Sequence, residues 1–222
     1  MVDGTDQTGR PTDQSGRSAA RLVRVSAAFR QQADEHIVDR AAALFARHGF
    51  VQTSVQSVAD AVGLSKAGLL HHFSSKQALW DAVLHHAGVL GQQACDAVAG
   101  LPAGRTRDLR AVEVLADVAL SHPGLVALLL APATRGEDET AGDLGSSSDA
   151  ALRAFGVDPL TAERERCVRV AGALVALAVL ALGARQSGEA AVLRPHIIAT
   201  SFDALGHRSP GAPPTRSDQV EA

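Results

Sequence analysis

The stretch from Thr53 to Lys76, TSVQSVADAVGLSKAGLLHHFSSK, constrains this chain more than any other. It fits two short helices, a glycine turn and the start of a third helix into 24 residues. After Ser54, the residues Val55, Val58, Ala59 and Val62 recur at the i, i+3, i+4, i+7 spacing of an amphipathic helix. Gly63 stands where the chain needs left-handed dihedrals to leave that helix. Leu64 follows as an apolar plug, and Ser65 is an N-cap for a second helix running from Lys66 to about His72. Helix, short glycine-containing turn, helix is the layout of a DNA-binding helix-turn-helix, whose second helix enters the major groove. It is equally the layout of an αα-corner in a helical domain, and the turn by itself leaves both open.

The flanks narrow the choice. Upstream, ADEHIVDRAAALFARHGF predicts a helix with a buried stripe of Ile37, Ala41, Leu44, Phe45 and His48, stopped by Gly49. Downstream, Phe73 closes the second short helix. Ser74 or Ser75 caps a longer helix bearing Leu79, Trp80, Val83, Leu84 and Ala87. With these segments in order, AAALFARHGF, TSV, VADAVGLSKAGLL, HHF and SKQAL, the chain resembles the TetR-type bacterial transcriptional repressors. The resemblance covers roughly residues 31 to 91, a little over a quarter of the chain.

That resemblance implies a set of DNA-facing positions. Ser54 matches a residue that caps the second helix and touches a phosphate. Ser65, Lys66, Ala67 and Gly68 match the start of the recognition helix, and His71, His72 and Lys76 match positions near the backbone or groove. Two departures stand out: family members often have Tyr where this chain has His71 or Leu70, and Thr where it has Gly68. Both remove a hydroxyl. The chemistry suits the role, since a helix N-terminus presents N–H groups to phosphate and lysine can donate to guanine O6 and N7.

Composition agrees with an all-α protein. Ala and Leu dominate, Tyr is absent, and β-formers other than Val are scarce. At 222 residues the chain accommodates one or two domains with a real core. The expected organisation is a disordered arm at 1–30, the helix-turn-helix domain at 31–91, a helical effector-binding and dimerisation domain at 92–206, and a disordered tail at 207–222. An acidic, Ser/Gly-rich loop is expected at 134 to 148.

Within the second domain, helices are expected at Arg107 to Leu120, broken by His122-Pro123-Gly124, then at Leu125 to Leu130 and Ser148 to Phe155. The longest starts at Thr161 and is uniformly apolar from Val170 to Ala184. Fifteen apolar residues fall short of the roughly 20 needed to cross a bilayer, so a buried helix is expected and no membrane partner. A last helix, Glu189 to Leu205, contains Pro195. The resemblance implies that the final two helices pair with a second subunit, and an apolar helix needs such a cover. A homodimer reading a palindromic operator on double-stranded DNA follows, with heads about 34–36 Å apart.

Charge is a weaker signal. Residues 31 to 91 hold Arg40, Arg47, Lys66 and Lys76 against Asp34, Glu35, Asp39, Asp60 and Asp81, one net negative charge. The arm adds Arg10, Arg17, Arg21, Arg24 and Arg30, which serve either as phosphate contacts or merely as a solubilising tail. The pairs His71-His72 and His85-His86 lack a Cys, Asp or Glu that completes a compact ligand set, so no metal and no cofactor is expected. His48, His72 and Phe73 read as packing groups. Cys95 and Cys167 read as reduced, buried thiols of a cytoplasmic protein, with a redox switch as the alternative.

No nucleophile–base pair or phosphate-cradling loop points to an enzyme. The resemblance implies a small-molecule effector in the second domain. Val89, Leu90, Cys95, Leu115, Val118, Leu128 and the first half of the long helix are the expected lining. Their aliphatic character favours an apolar or amphipathic ligand.

Overall fold

The computed structural model describes residues 14–135, 149–158 and 160–207. These are helical, with no strand among the described residues. The helices are α1 (Gln14–Gln52), α2 (Val55–Ala61), α3 (Lys66–His72), α4 (Lys76–Asp96), α5 (Arg105–Ser121), α6 (Pro123–Arg135), α7 (149–154), α8 (Arg164–Ser187) and α9 (Ala190–Ala204). The expected loop at 134 to 148 lies outside the described residues beyond Arg135, and the tail beyond His207 does too.

The chain divides into two compact units, Met1–His36 and Ile37–Ala222. In the first, α1 is already helical from Gln14, where an unstructured arm was expected over 1–30. The reason lies in the residues: from Arg17 to His48 neither Gly nor Pro interrupts a run rich in Ala and Arg, which favours helix. Residues 1–13 of that arm lie outside the described residues.

The second unit holds two hydrophobic clusters. One gathers Ile37, Ala41 and Phe45 of α1, Val58 and Ala59 of α2, Leu69 of α3, and Leu79, Trp80 and Val83 of α4. Leu125 and Leu128 of α6 complete it. The buried face of α1 also takes in Val38, Ala42 and Ala46, so its centre is rotated from the expected stripe. At about 100° per residue Leu44 then falls on the flank, whereas His48 shares the face of Ile37 and Ala41 but stands one residue before the Gly49 kink. Leu44 is half-buried and His48 is exposed, contrary to its expected packing role.

The other cluster joins Ala94 of α4 and Val98 just beyond it to Val112, Ala116 and Ala119 of α5, and to the inner faces of α8 and α9. At 24 residues, α8 is long and apolar enough to cross a membrane by length and composition, so the sequence argument from length does not hold. Its packing is that of a two-faced core helix. Val170, Ala173, Leu177, Ala181 and Ala184 are buried, while Val168, Val175 and Val179 face outward. Its first turn begins at Arg164, after the expected Thr161.

Polar groups hold the second cluster in register. Asp108, 1% exposed, accepts from Arg166 Nη2 at 2.6 Å and lies 2.7 Å from His207 Nε2. A buried carboxylate is tolerable with such partners. The Arg107 guanidinium donates to the carbonyls of Leu101, in the turn that follows α4, and of Arg153 and Ala154 at the end of α7, tying the two segments together.

Helix α6 serves both clusters. It leaves α5 at 103°, and Pro123 opens it because a first-turn residue needs no N–H. Its expected start at Leu125 is therefore two residues late. The Leu125 N–H donates to Asp39 Oδ1 of α1 at 3.1 Å, so α1 supplies a cap for α6. A Cβ on Gly124 would overlap the Asp39 carbonyl oxygen, which makes the close approach possible only for glycine.

Gly124→Ala is therefore expected to lower the unfolding free energy by roughly 1–3 kcal/mol, measured by urea denaturation. An unchanged midpoint would mean that the two helices separate without cost. Asp117, bonded bidentately to Arg194 of α9, is held below the usual carboxylate range by that hydrogen bond. Its contribution is present above the unfolded value of about 3.9 and is lost as pH falls through the lower folded value. The stability difference between wild type and Asp117→Asn should thus exist at neutral pH and vanish in acid.

Candidate nucleic-acid interface

Three serine caps build the helix-turn-helix. Ser54 and Ser57 form a reciprocal capping box at the start of α2. Ser54 Oγ accepts from the Ser57 N–H at 3.0 Å, and Ser57 Oγ accepts from the Ser54 N–H at 3.1 Å. At the other end, Gly63 has φ of 72°, its N–H reaches the Asp60 carbonyl, and the Leu64 N–H reaches Ala59. That pair of bonds is a Schellman motif, and it turns the chain sharply into α3.

Ser65 then caps α3, accepting from the Gly68 N–H at 3.0 Å. A side chain on Gly68 would meet Ser65 Oγ at 3.3 Å, so glycine leaves room for the cap. Leu69, 1% exposed, pins α3 to the core beneath. Ser75 repeats the device for α4, accepting from the Ala78 N–H at 3.0 Å.

This anchoring decides what faces outward. Ser54, Ser65, Lys66, Ala67 and His71 are exposed, and Gly68, His72 and Lys76 are half-buried. Lys66 has no hydrogen bond or ion pair among the described residues. His71 and His72 sit edge to face with ring centroids 6.2 Å apart, and the His72 ring lies 6.4 Å from Phe73.

Lys76 is engaged inside the protein. Its Nζ donates to the Phe50 carbonyl at 2.9 Å and the Val51 carbonyl at 3.3 Å, and sits 4.3 Å from the Phe50 ring centroid. The ammonium thereby caps carbonyls at the end of α1, and two of its three N–H groups are taken up there. Sequence reasoning did not foresee this, because the partner lies 26 residues away and a carbonyl leaves no mark in the sequence.

Thr53 was also passed over. Buried, with its hydroxyl donating to the Gly49 carbonyl at 2.8 Å, it ties the glycine kink of α1 to the start of α2. Around it Phe45, Phe50 and Trp80 pack with ring centroids 5.2 to 5.7 Å apart. These contacts join the end of α1 to α4.

The described residues contain no group of three or more His, Cys, Asp or Glu that could hold a metal ion. Cys95 and Cys167 are free thiols, half-buried, with Cys95 Sγ 3.3 Å from the Ala150 carbonyl.

Comparison with known proteins bears on residues 37–83, which match the family model for bacterial regulatory proteins, tetR family. Over 48 residues the chain is 44% identical to the HTH-type transcriptional repressor KstR2 of Rhodococcus jostii (strain RHA1). It is 40% identical over 48 residues to the protein of that name in Mycobacterium tuberculosis. Each match spans 22% of this chain and 24% of the relative. A tetR-family transcriptional regulator from Streptomyces coelicolor superposes at a TM-score of 0.44 and 22% identity, covering 79% of this chain and 80% of that one. A TetR transcriptional regulator from Chloroflexus aurantiacus superposes at 0.45 and 19% identity, covering 81% and 96%. The helix-turn-helix of this chain, residues 37–83, is that of the tetR family of bacterial regulatory proteins.

Proposed function

We propose that this chain is a dimeric transcriptional repressor, not an enzyme, that reads a palindromic operator with α3 and is released from it by a small apolar or amphipathic ligand. The observation that carries the reading is the exposed start of α3, where Lys66 is uncommitted and Ala67 and His71 stand beside it. Ser54 and Ser65 flank that surface and bring hydroxyls to phosphate distance in a groove-bound pose. Gly68 keeps the helix close to the groove, and His72 and Lys76 support its rear. In this assignment residues 31–91 are the reading head and 92–206 the effector and dimer part, acting in the cytoplasm.

A second copy of the chain is the cover for α8. Val168, Val175 and Val179 lie on one exposed side of it, with Val192 exposed on α9. Exposed valines at this spacing suit a self-complementary helix pairing. Helix α6 supports the response to ligand, since Leu125 and Leu128 belong to the head cluster while Val126 belongs to the other.

Selecting duplexes from a random pool with full-length protein tests the reading, and a two-fold symmetric consensus is expected. On that duplex Lys66→Ala should weaken binding with helicity unchanged. A loss far larger on consensus than on random DNA marks a base contact, and a uniform loss marks phosphate. Unchanged affinity on both removes Lys66 from the site. Val179→Arg should sediment as a monomer and lose the symmetric duplex; a wild type that is itself monomeric contradicts the dimer.

A further inference from the structure

A cavity of about 280 Å³ lies between α5, α6, α7 and α8. Leu115 and Val118 of α5, Leu129 of α6, Leu152 of α7, and Leu174 and Val175 of α8 form its walls. Of the lining expected from sequence, Leu115, Val118 and, from the first half of the long helix, Ala171 and Leu174 are therefore present, whereas Val89, Leu90, Cys95 and Leu128 do not line it. Every described residue around it is Ala, Val or Leu, so those side chains offer no charge, hydroxyl, amide or aromatic ring.

The lining sets the chemistry. Water inside finds no side-chain partners, so the pocket favours hydrocarbon over water. A carboxylate or ammonium placed there would lose its hydration with nothing in return. At roughly 30 Å³ per small group, the space seats about nine or ten non-hydrogen atoms. The mouth is marked by Val175, 49% exposed, and by Ala171, also exposed.

We infer that the cavity binds an uncharged aliphatic compound of about ten carbon atoms, linear or alicyclic, with any single polar group placed at the mouth beside Ala171 and Val175. The inference rests on the ligand-responsive reading above and gives the chemical class of that ligand. Recognition is by volume and the exclusion of charge. A longer chain runs out past Val175 onto the α8 face that the second copy covers in the proposed dimer and is blocked there, and a charged head cannot follow the chain inside.

Titration calorimetry of the full-length protein with a series of primary alcohols from hexanol to hexadecanol tests this. Binding of one alcohol per chain is expected, strengthening about fourfold per methylene and levelling near decanol. Decanoate and decyltrimethylammonium should bind at least about tenfold more weakly than decanol. Leu174→Phe, and independently Val118→Phe, should shorten the preferred chain while retaining wild-type helicity. The chain-length break in wild type needs no variant. A charged congener equal to decanol overturns the inference, as does affinity rising unbroken to hexadecanol. Measuring duplex binding on the same preparation separates the two readings. Duplex binding without alcohol binding sinks the cavity chemistry alone, and alcohol binding without duplex binding sinks the regulator.

Discussion

The first turn of α6 lies against the backbone of α1, and the rest of the second unit is arranged around that contact. The Asp39 carboxylate accepts the Leu125 N–H, and the Asp39 carbonyl occupies the space that any side chain at residue 124 would need. Two helices this close cannot slide past each other without breaking a cap and opening a void. Close-packed interiors move between discrete arrangements instead of deforming smoothly. Leu125 and Leu128 then extend the head cluster, and on another face of α6 Val126 and Leu129 line the aliphatic cavity. In the proposed regulator, a ligand that changes the seat of α6 therefore changes the seat of α1. It shifts the population only by the difference in its affinity for the two arrangements.

The head is nearly neutral, and that shapes how it would bind. Asp39 is committed to α6, Asp60 accepts from Gln56, and Asp81 accepts from Gln77. Lys76 is held by the end of α1. Lys66 remains the uncommitted cation on α3, so few phosphates are neutralised per head and a second head on the same duplex adds directly to affinity. Dimerisation through the exposed side of α8 and DNA reading through α3 are thus coupled requirements of one proposal.

The helix-turn-helix was legible because its determinants are local. Ser54, Gly63 and Ser65 act through bonds that span three to five residues, and each is a residue type with a specific backbone use. The break at Gly49, with φ of 79°, was legible for the same reason, though the chain resumes a short helical turn to Gln52 beyond it. What stayed hidden depends on distant partners. Asp39 reads as a surface acid until α6 arrives 86 residues later, and Asp108 reads as a first-turn acid until Arg166 and His207 close over it. His48 shares a face with Ile37 and Ala41 by spacing and is nonetheless exposed beside the Gly49 kink, because spacing does not say how far along a helix its cover extends. The run from Val170 to Ala184 gave no hint of two faces, since apolar residues lie on both.

Methylation protection on the selected duplex tests the central claim most directly, because guanine N7 lies in the major groove and adenine N3 in the minor groove. With α3 reading base edges, full-length protein should protect guanine N7 in two half-sites whose centres are about ten base pairs, one helical turn, or a multiple of that apart. Lys66→Ala should reduce that protection in both halves alike. Protection confined to adenine N3, or a single unpaired patch, would contradict the account.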